Sequence, residues 1–256
     1  MENWRKFELE CVDYLNNTYG NYFKHLGFSD STTSDIEYKK DNKSFFIEAK
    51  MPSAQSGQFV LWPGSDKKEF VFSPRNKSEI DENVEFIIDH MNKNFSKYEN
   101  AGTSGEEIHL SQELFSNWIV SNYKNQGVEF FITKGKDFII FPIEQYSQYF
   151  EISCNFRVKK SGSSNVPKSR QKDVLNQLNN MNIEFVLLDD FMIKSTQPID
   201  NIRFSIADTD YMIRKYDGNI HRIRKLSNTN NPNVIFSIKL VKEQDIFDLE
   251  EFKSRL

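Results

Sequence analysis

The sequence predicts a single globular domain of the α/β or α+β class, and three observations support that prediction. Segments with helical periodicity alternate along the 256 residues with short segments that have the two-residue periodicity of strands. Hydrophobic residues make up 38% of the chain and include 23 Phe and 10 Tyr, which is enough for a large aromatic core. No internal repeat or low-complexity linker divides the chain. We therefore expect one domain over residues 1–256, with any subdivision near residue 150.

Periodicity and turn residues place the expected elements in order. The expected helices are 3–18, 78–98, 111–124, 170–180 and 245–256. The expected strands are 34–39, 44–50, one near 58–62 in an otherwise irregular 51–75, three runs within 128–160, 183–191, the two arms of a hairpin around Asp217-Gly218, and 234–241.

Composition and motif content exclude several classes of protein. Cys11 and Cys154 have no metal-ligand spacing with the four histidines, so we expect neither a zinc site nor a disulfide framework. The N-terminus does not read as a signal peptide, and no apolar run approaches the roughly 18 residues of a membrane span, so we expect a soluble cytoplasmic protein. No phosphate-binding GxxxxGK[ST] motif occurs, which argues against a nucleotide cofactor. A net charge of −4 argues against bulk coating of nucleic acid but is compatible with a local basic cleft.

Residues 34–50, SDIEYKKDNKSFFIEAK, carry charge where a buried hairpin should be apolar. Side chains alternate between the two faces of a strand, so the odd-numbered apolar residues of FFIEA face the core, whereas Glu48 and Lys50 share the other face. A hairpin brings Asp35 of the preceding strand close to Glu48. Two carboxylates and one ammonium are therefore expected to converge at one edge of a sheet.

This set of side chains suits the hydrolysis of a phosphodiester. Carboxylate oxygens bind Mg²⁺, which neutralises charge on the scissile phosphate and lowers the pKa of a bound water. Lys50 is expected to orient or help deprotonate that water, because burial and an adjacent metal disfavour its protonated form. Glu8, which lies within the apolar stripe of the first helix, is a candidate for a further metal or water ligand.

The motif and its surroundings resemble the PD-(D/E)xK nuclease superfamily, which includes many type II restriction endonucleases and archaeal Holliday-junction resolvases. Asp35 is followed, after 12 intervening residues, by EAK at positions 48–50, directly behind the apolar run SFFI. Members of the superfamily carry a Glu on a helix before the motif, which matches Glu8. They often carry a Gln shortly after the Lys, which matches Gln55 or Gln58.

The resemblance covers roughly residues 5–60 and implies a restriction-endonuclease-like core, with a central mixed sheet flanked by helices. It also implies Mg²⁺-dependent cleavage that leaves a 5′-phosphate. Ser34 departs from the pattern, because a proline often precedes the Asp. The implied site residues are Asp35, Glu48, Lys50 and Glu8 for catalysis and Asp35, Glu48 and Ala49 for the metal.

Structural interpretations of the same residues remain open at this point. A Glu-x-Lys on an exposed strand commonly forms an ion pair without catalytic function. Glu8 can instead extend to the surface, which would leave Glu10, or neither helix carboxylate, in the site. The order of helix, Gly-Phe break, Asp35 and FFIEAK favours the nuclease interpretation.

Two segments after residue 150, FRVKKSGSSNVPKSRQK and IRKYDGNIHRIRK, concentrate positive charge in an otherwise acidic chain. They can form ordinary exposed faces, or they can contact phosphates and base edges. His221 is expected at a groove or surface rather than in catalysis. The candidate DNA-binding residues are Gln55, Gln58, Arg157, Lys159, Lys160, Lys168, Arg170, Arg214, Arg222 and Arg224.

About 200 residues follow Lys50, more than a compact junction resolvase needs, which favours a protein that reads sequence. We expect a type II restriction endonuclease with residues 1–150 as its motif-bearing core and 151–256 as an integrated β-rich, basic recognition part. Its partner is double-stranded DNA, and a homodimer would match the two-fold symmetry of a palindromic site. The alternatives are a structure- or modification-dependent nuclease of repair or phage defence, and a non-cleaving DNA-binding subunit with a nuclease-like fold.

Overall fold

A computed structural model describes residues 3–26, 34–64, 68–160, 162–227 and 230–256. These residues form two compact units. Unit 1 comprises Met1–Arg157 and Pro232–Leu256, and unit 2 comprises Val158–Asn231. In sequence, unit 2 is therefore an insertion between the two segments of unit 1. The single nuclease domain with a core over 1–150 stays a prediction.

The described residues form helices α1 to α7 and strands β1 to β16. The helices are α1 Asn3–Tyr19, α2 Glu82–Lys93, α3 Phe95–Tyr98, α4 Gln112–Lys124, α5 Tyr146–Tyr149, α6 Lys168–Asn180 and α7 Ile246–Arg255. The strands are β1 Phe23–His25, β2 Ile36–Lys40, β3 Lys43–Ala49, β4 Ser53–Gly64, β5 Glu69–Phe72, β6 Glu106–Glu107, β7 Val128–Lys134, β8 Phe138–Pro142, β9 Phe150–Lys160, β10 Ser163–Asn165, β11 Val186–Leu187, β12 Met192–Lys194, β13 Arg203–Ile206, β14 Thr209–Asp217, β15 Ile220–Leu226 and β16 Asn230–Leu240.

Sheet I of unit 1 has the strand order β1-β2-β3-β7-β8. The β3–β7 pair is parallel and its other pairs are antiparallel, which makes the sheet mixed. Helices α1 and α7 cover one face through an apolar cluster that includes Cys11, Leu15 and Phe252. Helices α4 and α5 cover the other face, where the Phe131 ring meets the rings of Tyr123 and Tyr146. The expected central mixed sheet flanked by helices is confirmed.

Sheet III of unit 1 has the order β5-β4-β16-β9-β6. Helix α4 also packs on this sheet, because Trp118 stacks on Phe236 of β16 with ring centroids 4.4 Å apart and contacts Phe59 of β4. Aromatic burial of this kind contributes both area and specific ring geometry. Helix α4 is therefore packed between the two sheets of unit 1.

Unit 2 is built on sheet II, in the order β11-β12-β15-β14-β13, with β10 paired to β15. Helix α6 contributes Val174 and Leu178 to an apolar cluster with Ile213 and Ile223 of the central strands. The β14–β15 hairpin turns at Gly218, whose φ of +48° suits glycine, so the hairpin predicted around Asp217-Gly218 is confirmed.

Several predicted elements differ from the structure. The segment expected to be mostly irregular contains the long strand β4 and strand β5, because its prolines lie at or near strand ends rather than mid-sheet. The single helix expected over 78–98 is interrupted at Asn94. Within 183–191 only Val186–Leu187 is paired as a strand, since Asp190 and Phe191 take positive φ values that end it.

None of the helices in the described ranges is long and apolar enough to cross a membrane.

Candidate active site at the β2–β3 hairpin

The register of the β2–β3 hairpin determines which charged residues meet. Ile36 pairs with Ile47 in the antiparallel ladder, and both residues are fully buried. Continuing this register by one residue places Asp35 opposite Glu48. The Ala49 backbone N–H donates to Asp35 Oδ2 at 3.1 Å, which holds the Asp35 carboxylate against the strand that carries Glu48. The predicted convergence of these carboxylates is present.

Lys50 completes the group at the end of β3. Its backbone N–H donates to the Ile132 carbonyl of the parallel strand β7 at 3.0 Å. Its ammonium forms an ion pair with Glu48 Oε1 and lies 5.2 Å from the centroid of the Tyr123 ring. The side chains of Lys50 and Glu48 are only 16% and 7% exposed. This is a buried ion pair rather than a solvated strand face, so the surface interpretation of Glu-x-Lys does not apply here.

Burial and charge shift the titration of all three groups. Burial raises the pKa of Glu48 to about 7, with the nearby Asp35 charge adding to the rise and Lys50 opposing it. Burial likewise raises the pKa of Asp35 to about 6, against the lowering effect of Lys50. For Lys50, burial lowers the pKa, but Glu48 and the other negative groups raise it further, to well above its ordinary value. Among the chain's own residues, two carboxylates face the ammonium and favour its protonated form, and the expected opposite effect of an adjacent metal ion stays a prediction.

One oxygen of this group lacks a hydrogen-bond partner among the residues that the structure describes. Glu48 Oε2 is buried and accepts no hydrogen bond within the described part of the chain. An unpaired buried carboxylate oxygen is costly and calls for a ligand or a special role. No group of three or more His, Cys, Asp or Glu side chains within the described ranges is arranged to hold a metal by itself. Any hard cation here would therefore rest on a few carboxylate oxygens together with backbone oxygen and water.

Glu8 approaches the same place from helix α1. It is 6% exposed, and its negative charge contributes to the raised pKa of Asp35. Glu8 Oε2 lies 2.8 Å from His25 Nε2 on β1. Glu10, the alternative carboxylate, instead pairs with Lys134 in an exposed ion pair. Of the two helix carboxylates, Glu8 is the one next to the hairpin site.

Comparison with solved structures gives a match over nearly the whole molecule. The structure of HhaI endonuclease in complex with DNA is 43% identical in sequence, and the match covers 99% of this chain and 99% of that chain, with a TM-score of 0.91. The chain belongs to the HhaI endonuclease family. No protein-family model matches the sequence, and comparison with curated proteins gives no match.

In this member of the HhaI endonuclease family, the predicted glutamines and Arg157 lie in sheet III. Gln55 and Gln58 are both exposed on β4, and Gln55 Nε2 donates to Gln58 Oε1 at 2.9 Å. Arg157 on β9 is half-buried, with its Nε atom buried and unpaired within the described residues. Lys159 and Lys160 end β9, but their side chains lie outside the described residues.

The remaining predicted DNA-binding residues lie in unit 2. Lys168 and Arg170 are exposed in the first turn of α6. Arg214 pairs directly with Arg222 across the β14–β15 ladder. The Arg224 guanidinium donates to Ser163 Oγ, to the Ser163 carbonyl oxygen and to Asn165 Oδ1. It therefore joins β10 to the sheet as well as adding positive charge.

His221 is not at a groove or surface as expected. It is 5% exposed, and its Nδ1 lies 3.2 Å from the Asn219 carbonyl oxygen. It pairs with Ile193 and Lys215 in the ladder, on the side of the sheet that carries the buried isoleucines. In this family member, His221 is therefore a buried core residue whose Nδ1 is within hydrogen-bond distance of a backbone carbonyl oxygen.

Sequence reasoning missed the residues that surround the motif from other elements. They are His25 beside Glu8, and Tyr123, Ser56 and Tyr146 around Lys50. Only one of them left a local signal. Ser56-Gly57 interrupts the strand-like segment around it, and a glycine inside a strand pattern indicates a bulge.

Proposed function

We propose that this chain is a type II restriction endonuclease of the PD-(D/E)xK superfamily, which hydrolyses phosphodiester bonds of double-stranded DNA at a short specific sequence and leaves a 5′-phosphate. The observation that carries the proposal is the buried group of Asp35, Glu48 and Lys50. It occurs in a chain that shares 43% identity, over almost its full length, with an endonuclease solved on DNA.

The residues present fit a magnesium ion. Glu48 Oε2 has no hydrogen-bond partner among the described residues, and Asp35 lies opposite it on the hairpin. We propose Asp35, Glu48 and the backbone of Ala49 as the protein ligands, since hard cations prefer oxygen donors. When bound, the ion would supply positive charge at the scissile phosphate and lower the pKa of a bound water.

The chain's own residues then have separate roles. Without a metal ion, the neighbouring carboxylates raise the pKa of Lys50 well above the ordinary value and favour its protonated form. It can therefore donate hydrogen bonds to a phosphate oxygen or to the attacking water, rather than accept a proton. Glu8 is oriented by His25 and can accept a hydrogen bond from a water held near Asp35.

The charge pattern of unit 2 supports contact with a polyanion. Directly opposed like charges destabilise a sheet, yet Arg214 and Arg222 are cross-strand partners. Burial and the charges of these two residues lower the pKa of Arg224. Because Ile213 and Ile223 point to the side covered by α6, the alternating arginines point to the opposite side. Phosphate groups would relieve the repulsion among them.

Removing one of these arginines should weaken DNA binding in a salt-dependent way. Arg214→Ala and Arg222→Ala are each expected to lower affinity about tenfold at moderate salt and to reduce the slope of log K against log [salt] by about one. Fluorescence anisotropy across a salt series measures both quantities. Lys43→Ala, an exposed lysine at the turn end of the β2–β3 hairpin and not a candidate DNA-binding residue, is the matched control. Unchanged affinity and slope in both arginine variants would remove this face from the DNA interface.

Digestion of a sequenced supercoiled plasmid with the wild-type protein and Mg²⁺ tests the function itself. The proposal requires discrete fragments whose ends map to one short sequence and carry a 5′-phosphate. Cutting restricted to branched or methylated DNA would favour the alternative nuclease, and no cutting would favour a binding subunit.

The same digest tests the expected homodimer. An assembly with two sites converts supercoiled plasmid directly to linear DNA, whereas a chain that acts alone accumulates nicked circles first. Light scattering of the protein on its DNA site gives an independent mass. Nicked circles together with a monomer mass would contradict the homodimer and leave the proposed chemistry intact.

A further inference from the structure

A bulge in β4 turns a serine hydroxyl toward the interior behind Lys50. Gln55 pairs with Ser237 and Gln58 pairs with Ile235, so Ser56 and Gly57 lie opposite a single residue of β16. Gly57 has a φ of +131°, and a Cβ at this position would lie 2.6 Å from the Trp118 ring. Bulges of this kind re-aim side chains and are frequent beside active sites. Ser56, next to this bulge residue, is 1% exposed.

Ser56 belongs to a connected set of buried hydroxyls that ends at Lys50. Tyr146 of α5 donates from its hydroxyl to Ser56 Oγ at 2.6 Å. Tyr123 of α4 is buried beside this pair; the Lys50 ammonium lies 5.2 Å from the centroid of its ring, and its hydroxyl interacts with Ser56 and with Lys50. Burial raises the pKa of Tyr123 to about 12, so this hydroxyl is neutral and can both accept and donate. The set links α4, α5 and β4 to the last residue of the motif.

The set restricts the direction of the Lys50 ammonium. An ammonium has three N–H donors and no acceptor, so the Tyr123 oxygen can only act as an acceptor toward it. Glu48 Oε1 accepts a second N–H, and the Tyr123 ring lies alongside the ammonium. With one N–H directed at Glu48 and a second directed at the Tyr123 hydroxyl, the third N–H would have a defined direction. That donor remains for a substrate oxygen or for water.

We propose that Tyr123, held by Ser56, is a positioning residue that orients the Lys50 ammonium toward the scissile phosphate or the attacking water. The inference rests on the proposed function, and it adds residues from α4 and β4 to a site that the sequence motif confines to one hairpin. A displacement of a catalytic group by about 1 Å can cost about a hundredfold in rate, so small reorientations of Lys50 matter.

Tyr123→Phe tests the inference, because it removes the hydroxyl and keeps the ring that packs on Phe131 and Lys50. We expect kcat for cleavage to fall by about 10- to 100-fold with KM and DNA affinity unchanged. Ser56→Ala should also lower kcat, but by less. In that variant the Tyr123 hydroxyl keeps its interaction with Lys50 and loses its interaction with Ser56. Single-turnover cleavage of a DNA duplex carrying the plasmid-mapped site measures both variants.

Tyr149→Phe is the matched control. Tyr149 is fully buried and donates from its hydroxyl to Asp248 at 2.6 Å. Removal of this hydroxyl is expected to change the free energy of unfolding without changing kcat. A second readout follows Lys50 directly through the proton–nitrogen NMR signal of its ammonium in wild type and in Tyr123→Phe. A residue with only a structural role would lower stability and leave this signal and kcat in place.

The outcomes separate the inference from the function on which it rests. Wild-type protein that cuts no DNA would overturn the proposed function. Wild-type protein that cuts while Tyr123→Phe and Ser56→Ala cut at the same rate would overturn this inference alone. An equal loss of kcat in Tyr149→Phe, or a Lys50 signal unchanged in Tyr123→Phe, would also overturn it.

Discussion

Replacing Glu48 with glutamine is expected to lower the rate of DNA cleavage by about a thousandfold or more while specific binding stays measurable. The substitution keeps the size of the side chain and removes the negative charge that pairs with Lys50. It also replaces the buried carboxylate, whose Oε2 has no hydrogen-bond partner among the described residues and is the proposed metal ligand, with an amide. The loss should therefore appear in the cleavage step, measured under single-turnover conditions with Mg²⁺ and saturating protein.

Asp35→Ala and Lys50→Ala are expected to cause losses of similar size, because the three side chains act as one group. Glu37→Gln is the matched control, since Glu37 lies on the same hairpin and pairs with Phe46 rather than with a member of the group. Its cleavage rate should stay within a few-fold of wild type. Activity near the wild-type level in Glu48→Gln, Asp35→Ala or Lys50→Ala would refute the assignment of the site.

The same Glu48→Gln variant should be more stable than wild type at alkaline pH when divalent ions are removed. Burial raises the pKa of Glu48 from 4.5 to about 7, so folding favours its protonated form. Stability from this group is complete at pH values below 4.5 and is lost as the pH rises through 7. The shift corresponds to roughly 3 kcal/mol in the free energy of unfolding, and glutamine, which cannot ionise, does not lose it.

Urea denaturation in EDTA at pH 5 and pH 8 measures this effect. Wild type should lose free energy of unfolding between the two pH values, and Asp35, whose pKa is raised to about 6, adds to the loss in the same direction. The gain from Glu48→Gln should be on the order of 3 kcal/mol at pH 8 and much smaller at pH 5. A variant less stable than wild type at pH 8 would contradict this account, and Glu37→Gln controls for removal of one negative charge from the hairpin.

Together these two results would describe a site that lowers the stability of the fold in order to hold ligand-binding groups. Glu48 and Asp35 are held close together in a buried place. Burial raises the pKa of both carboxyl groups, and the charge of Asp35 adds to the rise at Glu48, so the neutral forms are favoured. Stability and activity commonly oppose each other at such sites. Added Mg²⁺ should then stabilise wild type more than Glu48→Gln, through its preference for the folded chain.

The hairpin that carries the motif could be predicted because its signal is local. Alternation within FFIEAK determines which residues face the core, and the register of a short hairpin follows from its turn, so Asp35 and Glu48 could be placed opposite each other. Helix α1 could be placed for the same reason, since its apolar stripe contains Glu8. Local periodicity and turn chemistry are sufficient for such elements.

The surroundings of Lys50 could not be predicted, because they depend on contacts that are distant in sequence. Strand β7 lies parallel to β3 and brings helix α4 over the site, which places Tyr123 beside Lys50. No periodicity within either segment encodes that pairing. The same limit applies to unit 2, whose ends lie in the adjacent strands β9 and β16, and to Arg224, whose hydrogen bonds to β10 are not evident from its charge.

The extra residue in β4 changes the parity of that strand. In a regular strand two positions three apart point to opposite sides, yet Gln55 and Gln58 are both outward while Phe59 is in the core. Without residue 57 the strand would alternate regularly, with Gln55 and Gln58 outside and Ser56 and Phe59 inside, so a relative that lacks this residue keeps all four orientations. Alignments of related chains should therefore tolerate a one-residue gap at position 57 without replacement of Gln55, Ser56 or Gln58, whereas a second inserted residue here would reverse the sides of the residues that follow it.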